Sequence, residues 1–159
     1  MASNPRNSRI EVLPMRLSDL DSVMEIERLS FQGPWTRQVF IDELEREFAH
    51  VDVVHQRVPG GSLAVAFCNY WLVHDEVHIL NIACHPDKRR QGHAGRLLEH
   101  MIHFARRHRC RQISLEVRRR NQGAHKLYRG YGFRAVGIRP NYYVEDREDA
   151  IVMVLDLPE

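Results

Sequence analysis

Leu80-Asn81-Ile82-Ala83-Cys84-His85-Pro86-Asp87-Lys88-Arg89-Arg90-Gln91-Gly92-His93-Ala94-Gly95-Arg96-Leu97-Leu98 is the stretch on which the fold turns. Its first five residues close a mostly apolar run from Val77 to Cys84, the pattern of a strand buried on both faces. Pro86 ends that run, and a basic segment with two closely spaced glycines follows. From Gly92 the period changes: Ala94, Leu97, Leu98, Met101, Ile102 and Ala105 recur at three and four residues, which predicts a helix ending near His108. Ile113, Leu115 and Val117 then alternate with Ser114 and Glu116, which predicts a strand. A strand, a helix of about four turns and a second strand form a crossover unit, and a crossover implies a parallel pair inside a mixed sheet.

Outward from this unit, Ser18 with Asp21 three residues on reads as a capping box before Leu20, Val23 and Met24, hence a first helix. Phe31-Gln32-Gly33-Pro34-Trp35 breaks it, and Thr36 is placed to cap a second helix whose Val39, Phe40, Leu44 and Phe48 make one apolar stripe. Val51–His55 and Leu63–Val73 read as strands around the turn Pro59-Gly60-Gly61, so the front half is two helices and then three strands. Asn121 can cap a short helix through Leu127 and Tyr128 that stops at Gly130 and Gly132. Phe133–Ile138 and Ala150–Leu155 supply two closing strands. The expected organisation is a polar tail over residues 1–9 and one domain over 10–159.

Of the 159 residues 43% are hydrophobic, enough for a core without disulfide staples. No run approaches the roughly 20 apolar residues of a membrane span, and the start lacks the apolar segment of a secretion signal, so a cytoplasmic protein is expected. Cys68, Cys84 and Cys110 are odd in number and lack CxxC spacing, which argues against a disulfide framework or a zinc site. The ten histidines show no HExxH pattern, and no metal is expected. The net charge of +2 hides an asymmetry: residues 88 to 129 hold thirteen Lys/Arg against Glu99 and Glu116, while residues 11 to 52 hold ten acids against four arginines. A basic middle suits a polyanionic ligand and an acidic first third a cationic one.

The turn Arg89-Arg90-Gln91-Gly92-His93-Ala94-Gly95 lies between strand end and helix start, where backbone N–H groups and the helix's positive end can hold a pyrophosphate. No Lys-Ser or Lys-Thr follows Gly92, so it is not a Walker A loop, and the spacing is not GxGxxG.

Ile79 to Phe133 closely resembles the GNAT superfamily of N-acetyltransferases, whose phosphate-binding signature (Arg or Gln, two residues, Gly, one residue, Gly or Ala) is met by Arg89, Gly92 and Ala94. Asn81-Ile82-Ala83-Cys84-His85-Pro86, Leu115-Glu116-Val117-Arg118, Asn121, Leu127-Tyr128, Tyr131-Gly132-Phe133 and Asn141-Tyr142-Tyr143 resemble the RimI family within it. The resemblance implies an α/β fold: a mixed, mostly antiparallel sheet with a central parallel pair flanked by about four helices. It implies acetyl-CoA as cofactor, with Ile82, Ala83 and Cys84 along the pantetheine arm, the turn Arg89, Arg90, Gln91, Gly92, His93, Ala94, Gly95 on the pyrophosphate, and Asn121 as a further contact. It makes Glu116 the general base and Tyr128 the general acid. An N–H near Cys84 is the candidate oxyanion donor, by fold analogy. Phe31 and Trp35 with Asn141, Tyr142 and Tyr143 are the candidate acceptor walls, and His78, on the strand face of Cys84, a candidate second base. In the RimI family the acceptor is the N-terminal alanine of a small-subunit ribosomal protein.

Chemistry demands such groups, since an ammonium must lose a proton before it can attack a thioester. An α-amine, with a reference pKa of about 7.7 to 8.0, needs less help than a lysine at about 10.4. A polyamine, an aminoglycoside or a protein lysine is the alternative acceptor. Arg106-Arg107-His108-Arg109 and Arg118-Arg119-Arg120 invite a nucleic-acid reading, but they lack interleaved aromatics and a recognition-helix pattern, so no specific nucleic-acid partner is expected. The chain is expected to be a monomer or weak dimer.

Overall fold

A computed structural model describes residues 10–158; the polar tail expected over residues 1–9 lies outside the described residues. The strands are β1 (Ile10–Pro14), β2 (Ala49–Val58), β3 (Gly61–Val73), β4 (Glu76–Cys84), β5 (Gln112–Arg118), β6 (Arg134–Tyr143) and β7 (Glu148–Asp156). The helices are α1 (Leu20–Ser30), α2 (Arg37–Glu45), α3 (His93–Arg107) and α4 (Gln122–Gly130). The strands form one sheet in the order β1-β2-β3-β4-β5-β7-β6. β4 and β5 run parallel, as the crossover through α3 requires, while β1 and β2, β5 and β7, and β6 and β7 pair antiparallel.

The chain divides into two compact units, one of residues 10–69 with 81–100 and one of 70–80 with 101–158. In the first, Leu20, Val23 and Ile26 of α1 and Phe40 of α2 are fully buried against Val53 of β2 and Phe67 of β3. The helix starts differ from expectation in one case. Ser18 is not the cap of a capping box: a short 3-10 turn, Leu17–Asp19, precedes α1, and the Asp19 carboxylate accepts from the Arg16 N–H at 3.0 Å. Thr36 does cap α2, its hydroxyl accepting from the Val39 N–H at 3.4 Å.

The α2 stripe is narrower than its periodicity suggests. Phe40 is buried, while Val39, Leu44 and Phe48 are exposed. The helix ends at Glu45, so Phe48 is off its face, and Glu43 takes a buried position that an apolar-periodicity reading skips. The strand β1 was not expected, because Ile-Glu-Val-Leu-Pro is too short to show alternation; its pairing with β2, Ile10 opposite Gln56 through Pro14 opposite Asp52, comes from the neighbour.

In the second unit β5 alternates as its sequence does, Ile113, Leu115 and Val117 buried and Ser114 and Glu116 half-buried on the other face. Tyr70 and Phe104 meet edge to face, ring centroids 5.1 Å apart. Asn121 caps α4 by accepting from the Ala124 N–H at 3.1 Å, and Gly132, at φ 96°, turns the chain into β6. β6 runs five residues past its expected end. Pro140, which has no N–H to give, falls where the β6–β7 register is broken, between Arg139 and Tyr143, on an edge strand that tolerates the lost bond.

Candidate active site

The register of the parallel pair sets His78 of β4 beside Ser114 of β5, two residues before Glu116, so His78 and Glu116 share a sheet face. Their side chains meet: His78 Nε2 lies 2.7 Å from Glu116 Oε2. Arg139 of β6 approaches the other oxygen, its Nη1 3.6 Å from Glu116 Oε1. The Glu116 side chain is only 9% exposed. Burial is the strongest single influence on its carboxyl and acts upward, but the His78 hydrogen bond and charge, with the Arg139 guanidinium, together outweigh it and hold the group below the usual carboxylate range. Glu116 is therefore ionised near neutrality, and the nitrogen facing it must carry the proton: His78 Nε2–H donates to Oε2.

Tyr128 sits near the end of α4, its ring 5.8 Å from that of Phe133. Burial pushes its hydroxyl up to about 12, so it holds its proton across the physiological range. Tyr142 and Tyr143 meet edge to face at 5.1 Å on β6. Arg118 anchors that end of the sheet: its guanidinium lies 4.0 Å from the Tyr143 ring centroid and bonds both Asp146, at 2.8 Å, and Glu148, at 3.0 Å. Asn141 takes a left-handed φ of 52° and donates its N–H to Asp149 at 2.9 Å. The second-base candidate His78 and, of the acceptor-wall candidates, Tyr142 thus share the surroundings of Glu116, with Tyr143 beside them.

The phosphate-turn candidates lie in the first unit. A 3-10 turn, Pro86–Lys88, leads from β4 into Arg89, and Arg90 and Gly92 both adopt left-handed backbone, at φ 62° and 80°. Those two reversals bring the chain to the start of α3, whose first N–H groups have no partner within the helix. Gln91 and Arg90 are exposed, and Ala94 and Gly95 form the first turn beside His93. The His93 ring is buried, and neither nitrogen finds a partner among the described residues. Burial, then Arg96 and Lys88, push its pKa down, which disfavours the charged ring. Ile82 and Cys84 are half-buried and Ala83 is buried.

Burial raises the Cys84 thiol more than the charge of Arg89 lowers it, and Sγ donates to the His85 carbonyl at 3.5 Å, so this is a thiol and not a poised nucleophile. The adjacent His85 N–H is taken by the Val65 carbonyl at 2.8 Å, which removes it as the oxyanion donor near Cys84. Phe31 and Trp35 pack against the core of the first unit, Trp35 with its ring 5.4 Å from Phe40. Glu27 holds that loop, its Oε1 accepting from the Trp35 N–H at 3.1 Å. The Asn121 oxygen is engaged as the α4 cap.

Residues 20–133 match the acetyltransferase (GNAT) family. The chain belongs to that family. This GNAT acetyltransferase is 34% identical over 145 residues to the [ribosomal protein bS18]-alanine N-acetyltransferase of Escherichia coli (strain K12), 90% of this chain and 95% of that one. It is 39% identical over 153 residues to a Bacillus subtilis (strain 168) protein to which the same activity is provisionally assigned, covering 96% and 99%. The crystal structure of the ribosomal-protein-S18-alanine N-acetyltransferase from Escherichia coli superposes with a TM-score of 0.82 at 32% identity, covering 94% of this chain and 95% of that one. The GNAT acetyltransferase described here is thus an acetyl-CoA-dependent N-acetyltransferase of the RimI type. No helix among the described residues is long and apolar enough to cross a membrane, and no cluster of His, Cys, Asp and Glu among them could hold a metal ion.

Two residues at the site had not been singled out. Arg139 is distant in sequence from Glu116, and no local pattern marks it as the arginine that pairs with that carboxylate. Glu27 was hidden as an ordinary polar position on α1, although it is buried.

Proposed function

We propose that this chain transfers the acetyl group of acetyl-CoA to the α-amine of a protein N-terminus, and that its acceptor is the N-terminal alanine of a bS18-type ribosomal protein. The observation that carries the reading is the ionised, almost buried Glu116 carboxylate, hydrogen-bonded to His78, in a chain similar along nearly its whole length to a bS18-alanine acetyltransferase. An acidic first third favours a basic protein tail as acceptor.

The chemistry follows from the groups present. The turn from Arg89 to Gly95 and the first N–H groups of α3 hold the pyrophosphate of acetyl-CoA. Glu116 accepts a proton from the acceptor's α-ammonium, directly or through a water, with His78 steadying the carboxylate. The freed amine attacks the thioester carbonyl, a C–N bond forms, and the tetrahedral intermediate collapses as the C–S bond breaks. The attacking nitrogen gives up its second proton to solvent. Coenzyme A leaves as a thiolate and takes a proton from the Tyr128 hydroxyl, which its raised pKa keeps protonated until then and which solvent reprotonates afterwards. Attack is direct: a neutral, half-buried Cys84 thiol offers no acetyl-cysteine stage.

Acetyl transfer to peptides beginning Ala-Arg, with a free or an acetylated terminus and an internal lysine, together with spermidine and an aminoglycoside, tests this reading. Transfer to the free-alanine peptide is expected. Equal rates on the blocked peptide would remove the α-amine assignment.

A further inference from the structure

Resting on the assignment of Glu116 as the base, we infer that Arg139 is its resting counter-ion: a cation that occupies the carboxylate in the free enzyme and is displaced by the incoming ammonium of the acceptor. Glu116 has room for few partners. His78 from β4 takes Oε2 at 2.7 Å, and Arg139 from β6 faces Oε1 at 3.6 Å, too long for a fixed hydrogen bond but close enough for attraction. No other arginine or lysine among the described residues makes an ion pair with Glu116. Tyr142 and Tyr143, also from β6, feel its charge but carry raised pKa values and stay neutral, as does Tyr128 of α4 beside Tyr143.

Two neighbouring arginines show why Arg139 is the one that moves. Arg118 is committed to Asp146 and Glu148 and stacked on Tyr143. Among the described residues Arg139 has no second carboxylate, its side chain is 57% exposed, and its guanidinium lies 5.7 Å from the Tyr142 ring centroid. An exposed cation with one loose contact gives it up at little cost, and the ring face offers it a second seat. The Oε1 that Arg139 leaves is the acceptor for the substrate's ammonium, so one positive charge replaces another and the buried carboxylate is never left uncompensated. Arg139 acts through Glu116 and is a tuning residue, not a catalytic one.

The experiment combines Arg139→Gln and Arg139→Lys, each also in a Glu116→Gln background, with wild type. Carbon-13 NMR of the labelled Glu116 carboxyl should show its midpoint moving up in Arg139→Gln and returning in Arg139→Lys. Because an exposed ion pair is worth little, the KM for an alanine peptide should fall by about two- to fivefold in Arg139→Gln, with the KM for acetyl-CoA unchanged. Calorimetric affinity for that peptide in the presence of coenzyme A should rise by the same factor, and the rise should vanish in the Glu116→Gln background. An unmoved midpoint, or a peptide KM that rises, would overturn the inference. Failure of wild type to acetylate any alanine peptide would instead sink the proposed function, while the carboxyl titration would still judge the counter-ion.

Discussion

His78 and Glu116 stand 38 residues apart in the chain and 2.7 Å apart in space, joined across the one parallel strand pair among those described with a register. The crossover through α3 makes that meeting possible. It puts a donor on one oxygen of a carboxylate whose pKa burial alone would raise, so that a nearly buried glutamate stays ionised at neutral pH.

Glu116→Gln should lower kcat by about 10²- to 10⁴-fold, the range of a positioned general base, with the KM for acetyl-CoA little changed. Steady-state kinetics on the alanine peptide measures it. Full activity in this variant across the pH range would take the residue out of the mechanism.

The same carboxyl carries a stability signature. Its folded pKa lies below the unfolded value of about 4.3, so the ion pairs of Glu116 stabilise the fold above that pH, and the contribution disappears as pH falls through the lower, folded value. Urea midpoints of wild type should therefore drop more steeply than those of Glu116→Gln as pH is lowered from about 5 to 3. Parallel curves would contradict the depressed pKa.

Tyr128→Phe removes a hydroxyl that titrates only at about 12. We expect a loss in kcat of about 10²-fold or more. We also expect no alkaline decline in wild-type kcat between pH 8 and 10 that the variant lacks, since Tyr128 keeps its proton there. A tyrosine-dependent decline in that interval would show that the hydroxyl is more acidic in the folded enzyme.

Glu27 is buried, accepts the Trp35 N–H with one oxygen and leaves the other without a partner among the described residues, and burial raises its pKa. A raised acid favours the fold below its unfolded pKa and loses that advantage as pH rises through the folded one. Glu27→Gln, which keeps the acceptor without the charge, should match or exceed wild-type stability at pH 8 in thermal melts. Glu27→Ala should cost about 1 to 3 kcal/mol.

At Gly92 a methyl group would meet nothing within 4 Å, so crowding is not what excludes a side chain. The backbone is: at φ 80° an alanine costs about 1 to 2 kcal/mol. Gly92→Ala should lower stability by that amount and raise the KM for acetyl-CoA while leaving the alanine-peptide KM unaltered. A rise confined to the peptide would move the phosphate site away from this turn.

What the sequence determined by itself is what short-range forces decide. The three- and four-residue recurrence from Ala94 to Ala105 is α3, the alternation from Ile113 to Val117 is β5, and the caps Thr36 and Asn121 work within a single turn, each legible because the interacting groups lie within a few residues of one another. From these the mixed sheet follows, as does the turn from Arg89 to Gly95 as an anion site at a helix start, whereas Glu116 and Tyr128 became candidates through the family resemblance of the motifs around them. Only the tertiary structure decided which cation serves Glu116, that His93 turns its ring inward, that a buried Glu27 carboxylate anchors Trp35, and that Ile10–Pro14 is a strand at all. Those outcomes depend on strand register and on which neighbour a side chain meets after the chain has come back on itself, and no local period encodes the identity of a partner dozens of residues away.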